Sequence, residues 1–115
     1  MSPSCYNEGM EEQIIIEYYE TDSGKCPYLE WEADLPKDLR GQIRKRLNRV
    51  RLGNFGDFDH IEGSLYELRH HSGPGYRIYY GKKGHKMVIL LCAGDKGAQK
   101  RDIEKAKKYW LEYTS

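Results

Sequence analysis

Leu65-Tyr66-Glu67-Leu68-Arg69-His70-His71-Ser72-Gly73-Pro74-Gly75-Tyr76-Arg77-Ile78-Tyr79-Tyr80 carries the clearest structural signal in the chain. Leu65 to Arg69 alternates in polarity, and so does Tyr76 to Tyr80. Strict alternation marks strands with one face turned to a core. Ser72-Gly73-Pro74-Gly75 between them is a strong turn signal. Two antiparallel strands follow. Tyr66 and Leu68 fall on one face of the first, Glu67 and Arg69 on the other. In the second, Ile78 lies with Tyr76 and Tyr80, and Arg77 lies with Tyr79.

Outward from this hairpin, Gly81-Lys82-Lys83-Gly84 reads as another turn. It leads into Met87 to Cys92, a continuous apolar run typical of a buried central strand. Asp57 to Ile61 is a candidate short strand ahead of the hairpin. Further upstream the period changes. Gln13 to Tyr19, rich in Ile and Tyr, predicts a first strand. Pro27 suits a helix start, where its missing N–H is no loss, and Tyr28, Trp31 and Leu35 share one helical face. Pro36 opens a second helix with the stripe Leu39, Ile43, Leu47 and Val50, stopped at Gly53. Ile103, Ala106 and Trp110 mark one face of a C-terminal helix. The fold class is therefore α+β: an N-terminal strand and a helical hairpin packed on a mainly antiparallel sheet, then a C-terminal helix. Residues 1–9 read as a disordered leader or an added extension before Met10, and residues 10–115 as one domain.

Composition sets outer limits. The 115 residues suffice for one modest core. No apolar run is long enough to span a membrane, and the N-terminus lacks the pattern of a secretion signal. Cys5, Cys26 and Cys92 lack metal-ligand spacing, and an odd number argues against a disulfide framework. A reducing cytoplasm is the expected compartment. The net charge of +1 hides an asymmetry, because residues 1–36 carry one Lys against nine acids and residues 37–115 carry 18 Lys and Arg against nine. A locally basic region suits a polyanion; ordinary solvated helix faces are the competing reading.

If the helical hairpin covers the face of Leu68 and Ile78, the open face carries Glu67, Arg69, Arg77 and Tyr79. Two arginines and an aromatic ring suit a phosphate backbone and a stacked base. An arginine–glutamate pair on a plain polar face would look the same. Lys96, within Ala93-Gly94-Asp95-Lys96-Gly97 at the end of the buried strand, is placed to reach a phosphate, and Asp95 to cap the last helix. His70 and His71 follow Arg69 and are candidates for proton transfer. His60 carries little weight, and His85 sits in a turn. Arg44, Lys45 and Arg49, on the second helix with Lys37, Arg40, Arg46 and Arg51, form a candidate RNA-binding face.

With Tyr66-Glu67-Leu68-Arg69, Gly73-Pro74-Gly75-Tyr76-Arg77-Ile78-Tyr79-Tyr80 and Ala93-Gly94-Asp95-Lys96 in this order and spacing, the chain resembles the RelE/ParE toxin superfamily, and within it the HigB-like, phage-derived (Gp49-like) addiction module killer proteins. The resemblance rests on Trp31, on Gln42 to Val50, on Gly53-Asn54-Phe55-Gly56-Asp57, on Tyr66-Glu67-Leu68-Arg69 and on Gly73-Pro74-Gly75-Tyr76-Arg77-Ile78-Tyr79-Tyr80. It continues through Leu90-Leu91-Cys92-Ala93-Gly94-Asp95-Lys96, Gln99, Asp102-Ile103 and Ala106. It spans about Ile14 to Trp110. It implies the toxin of a toxin–antitoxin pair: a metal-independent, cofactor-free endoribonuclease that cuts mRNA in the ribosomal A site. The implied partners are a helix-turn-helix antitoxin, the ribosome and mRNA. The family's arginine matches Arg77 directly, and its other basic residues map onto Arg69 and Lys96. Two departures leave the general base open among Glu67, His70, His71 and ribosomal groups. Glu67 stands where relatives carry a lysine, and no tyrosine lies near Asp102. A gyrase poison of the ParE type and an inactive antitoxin-binding relative are the alternatives.

Overall fold

The computed structural model describes residues 13–115, so the reading of residues 1–9 falls outside it. The element order is β1 (Ile15–Tyr18), α1 (Pro27–Ala33), α2 (Lys37–Arg51), β2 (Phe58–Glu62), β3 (Leu65–His70), β4 (Tyr76–Lys83), β5 (Met87–Asp95), a 3-10 turn (Lys96–Ala98) and α3 (Gln99–Thr114). The α+β class holds. The five strands lie in the order β1-β5-β4-β3-β2. β1 runs parallel to β5, and the other pairs are antiparallel.

One face of the sheet meets the helical hairpin. The stripe Leu39, Ile43, Leu47 and Val50 packs there against Leu68, Ile78, Tyr80, Val88 and Leu90. Burial of each such side chain contributes about 1.5–3 kcal/mol. Arg46 belongs to this interior. It departs from the basic face that its place on α2 predicts: only 9% of it is exposed. Its guanidinium donates to the carbonyls of Phe55, Asp57 and Arg69. Phe55 and Asp57 lie in the loop before β2 and Arg69 near the end of β3, and one arginine fork can serve all three carbonyls at once.

The other face is not open. α3 lies across it, and Leu65, Tyr79, Ile89, Leu91 and Ala106 form a second core. Alternation alone gave this face no cover, because an amphipathic C-terminal helix carries no label for the side it packs on.

The turn expected at Gly81-Lys82-Lys83-Gly84 is also corrected. β4 continues to Lys83. Gly81 is a close-approach residue, since a Cβ there would run into the Trp110 ring of α3. Gly75, by contrast, serves the turn itself, at φ 83°, with its N–H donating to the Ser72 carbonyl at 2.9 Å.

Candidate nucleic-acid site

The register lines up two rows across the sheet. Arg69 pairs with Arg77, and Arg77 with Gly94. On the far side the Arg69 N–H donates to the Asp57 carbonyl at 2.9 Å. One row is therefore Asp57, Arg69, Arg77 and Gly94. The row below it is Asp59, Glu67, Tyr79 and Cys92. Lys96 joins at the open end of the sheet, where its N–H donates to the Gly75 carbonyl at 2.9 Å. His70 and His71 close the same end. The backbone thus brings Arg69, Arg77 and Lys96 to one corner, at the end of the sheet, with Glu67 bonded to Arg69 and His71 linked to Arg69 through Asp57, while the His70 side chain turns to Gln42 of the hairpin.

Glu67 is the hub of the corner and is only 2% exposed. It accepts from Arg69 Nε at 3.1 Å and from Gln99 Nε2 at 3.1 Å, and Arg77 Nε stands 3.8 Å away. Arg77 Nε is buried with no hydrogen-bond partner. Arg69 also reaches Asp59 at 2.6 Å and Asp57 at 3.7 Å. Its bond to Glu67, foremost, holds its guanidinium firmly charged.

The histidines differ. His70 Nε2 faces Gln42 Oε1 at 3.1 Å. Burial, then the nearby Arg46, lowers its affinity for a proton. His71 Nε2 pairs with Asp57 Oδ2, and its side chain is 70% exposed. The hydrogen bond to His71 is the main reason that the Asp57 carboxyl lies below its ordinary range. A histidine held by a carboxylate on one nitrogen leaves the other free for proton transfer.

Tyr79 corrects the sequence reading. It is fully buried beneath α3, and burial pushes its hydroxyl pKa up. A ring in that position has no face for an RNA base. Arg44, Lys45 and Arg49 belong to α2, which packs on the sheet face opposite the one that buries Tyr79. Arg44, although mostly exposed, is committed to buried Glu32: Nε and Nη2 both donate to Oε1, at 3.1 and 2.9 Å. Lys45 and Arg49 are exposed.

Asp57, Asp59, Gln99 and Asp102 are the residues whose roles the sequence did not assign. Gln99 and Asp102 lie in the segment after β5 that carries the resemblance, a spatial signal readable only once α3 is folded over the sheet. Asp102 is 6% exposed. Its Oδ2 fills the space above Gly94 that a Cβ would take, so Gly94 and Asp102 are one unit in packing terms.

Residues 30–110 match the model of the family described as phage-derived protein Gp49-like (DUF891). The chain belongs to the Gp49-like family. This is a RelE/ParE-like addiction module killer family. A Haemophilus influenzae protein described only as uncharacterized is 44% identical over 79 residues, which span 67% of this chain and 79% of that protein. The Gp49-like match covers α2, the meander and most of α3, so it includes every residue of the corner. Among the described residues no helix is long and apolar enough to cross a membrane.

Proposed function

We propose that this Gp49-like chain is the toxin of a type II toxin–antitoxin pair, a HigB-like endoribonuclease that cuts mRNA on the ribosome in the cytoplasm without a metal. Its partners are then a helix-turn-helix antitoxin, the ribosome and the message. The observation that carries the reading is the Arg69–Arg77 pair, adjacent in register, with Lys96 at the same sheet end. Three cations around one sheet corner suit a scissile phosphate and the charge that grows on it in the transition state.

The chemistry is attack of the ribose 2′-oxygen on the adjacent phosphorus, with loss of the 5′-oxygen and formation of a 2′,3′-cyclic phosphate. The 2′-hydroxyl proton needs an acceptor. Glu67 is buried and already serves Arg69 and Gln99. His70 is turned to Gln42. His71, exposed and oriented by Asp57, is the best-placed base. An arginine cannot give up its proton near neutral pH, so Arg69 and Arg77 bind and stabilise but do not complete an acid–base set. A ribosome that holds the codon in line would supply the missing positioning, worth several kcal/mol of the barrier.

The test is Arg77→Ala. The folded variant should lose growth arrest, with a cost on the order of 3 kcal/mol in transition-state stabilisation. A folded Arg77→Ala protein that arrests growth as the parent does would remove Arg77 from the reaction.

A further inference from the structure

Beside the corner, between α1 and α3, lies a cavity of about 330 Å³. Its floor is the edge of β5 beyond Leu90, where pairing with β1 ends. Cys92 and Ala93 form that floor, and Trp31 of α1 and Tyr109 of α3 contribute aromatic rings. Asp102 lines it as well. Asp102 is only 6% exposed and its carboxylate accepts no hydrogen bond from any described donor, but its oxygens are not sealed from solvent and open on the cavity. A carboxylate that opens on a cavity and has no protein donor is free to exchange water for the donors of a ligand. Such a group marks a place where a ligand brings the donors.

The charges at the mouth select the ligand. Lys25 and Lys105 stand against Glu30 and Asp34, so the rim offers no net attraction to a phosphate. A flat, neutral, hydrogen-bonding group fits better. The volume is at the low end of the range, about 300–1,000 Å³, of small-molecule pockets, and takes one nucleobase with its sugar. An ionised carboxylate is an acceptor only. Guanine alone among the four bases presents two N–H groups side by side, N1–H and N2–H. The place is right too: Asp102 sits on Gly94, the register partner of Arg77.

We propose that this cavity reads a guanine next to the cleaved phosphate, the base lying against Trp31 and Tyr109 with N1–H and N2–H donating to the Asp102 carboxylate. The proposal rests on the nuclease reading above for its substrate. Burial pushes the free Asp102 carboxyl up, and a donor pair would supply the stabilisation that the anion lacks.

The experiment separates the two ideas. Guanosine, adenosine, cytidine and uridine monophosphates are titrated into ribosome-free protein, and the two indole N–H signals are followed by NMR, Trp31 being assigned with Trp31→Phe. Guanosine monophosphate should shift the Trp31 signal at a concentration at least about tenfold lower than the others, since a matched bidentate pair is worth about 1–3 kcal/mol. Asp102→Asn and Tyr109→Leu, each checked for fold by circular dichroism, should abolish that preference. In mapped message ends, the excess of guanine beside the cut should fall about tenfold among the cuts Asp102→Asn still makes. Equal shifts with all four nucleotides, no shift at all, or an unchanged guanine preference in folded Asp102→Asn would overturn the pocket. Guanosine binding here by a protein that cleaves no RNA would contradict the nuclease reading and leave the pocket standing.

Discussion

Arg46 Nη1 donates to the Arg69 carbonyl at 2.6 Å, so the hairpin helix holds the backbone of the strand that presents Arg69 to the corner. The same guanidinium holds the Phe55 and Asp57 carbonyls at 2.8 and 2.7 Å. One buried cation thereby fixes the loop that carries Asp57, the partner of His71. Burial lowers the proton affinity of Arg46 itself, though an arginine stays charged.

Arg46→Ala should therefore cost about 3 kcal/mol of stability, because the carbonyls of Phe55 and Arg69 lose their side-chain donor, Asp57 keeps only the Arg69 N–H, and a large interior side chain is removed. Arg46→Lys should recover little, since an ammonium cannot span the same acceptors as a planar fork. Chemical denaturation of both variants checks this. A loss below about 0.5 kcal/mol for Arg46→Ala would mean that water replaces the guanidinium at no cost.

Asp102 gives a prediction in pH. Its carboxyl is raised above the ordinary value near 3.8, chiefly by burial, while Lys105 and Arg101 pull it down and Asp95 pushes it up. Below that ordinary value folded and unfolded chains both hold the proton, and no penalty exists. As pH rises through the raised folded value, folding must ionise a buried group, and stability falls. Asp102→Asn removes this penalty. The variant should be the more stable protein near neutral pH, and its advantage should vanish as pH drops below about 3.8. Parallel stability curves for the two proteins from acid to neutral pH would show that Asp102 ionises freely.

The second helix offers a salt test. Residues 37–51 carry seven Lys and Arg against one acid, Asp38. Arg46 and Arg44 have structural duties, so the test uses Lys37, Lys45 and Arg49. If this face docks on ribosomal RNA, binding to ribosomes weakens steeply with salt as counterions are released. Reversing the three to Glu should weaken binding and flatten the salt slope. Arg44→Glu is left out, because it would set a like charge against buried Glu32. Unchanged binding in the triple variant would make the helix a merely solvated face.

Much of the molecule was legible in the chain because one-dimensional signals carry it. Alternation around Gly73-Pro74-Gly75 gave β3 and β4 and joined Arg69 to Arg77. The stripe Leu39 to Val50 gave the face of α2. The failures share a cause: they depend on which element lies on which face. Tyr79 alternates as an exposed residue would, and only the placement of α3 buries it. Gly81 looks like a turn until Trp110 is seen against it. Arg46 sits among lysines and arginines in sequence, but α2 turns it inward toward carbonyls whose own need is set by loop geometry. Asp102 reads as an ordinary first-turn acid, a favourable position on a helix, until β5 ends beneath it.

The most direct measurement incubates purified protein with a defined message, with and without ribosomes programmed by that message, and maps the RNA ends by primer extension. The expected result is cleavage within the ribosome-held codon, 2′,3′-cyclic phosphate ends, and no cutting of naked RNA on the same timescale. Folded Arg77→Ala should leave the message intact in both conditions. Intact message in the presence of wild-type protein and programmed ribosomes would contradict the nuclease reading outright. Rapid cutting of naked RNA at the same sites would contradict its dependence on the ribosome and show that His71 and its neighbours form a complete acid–base set.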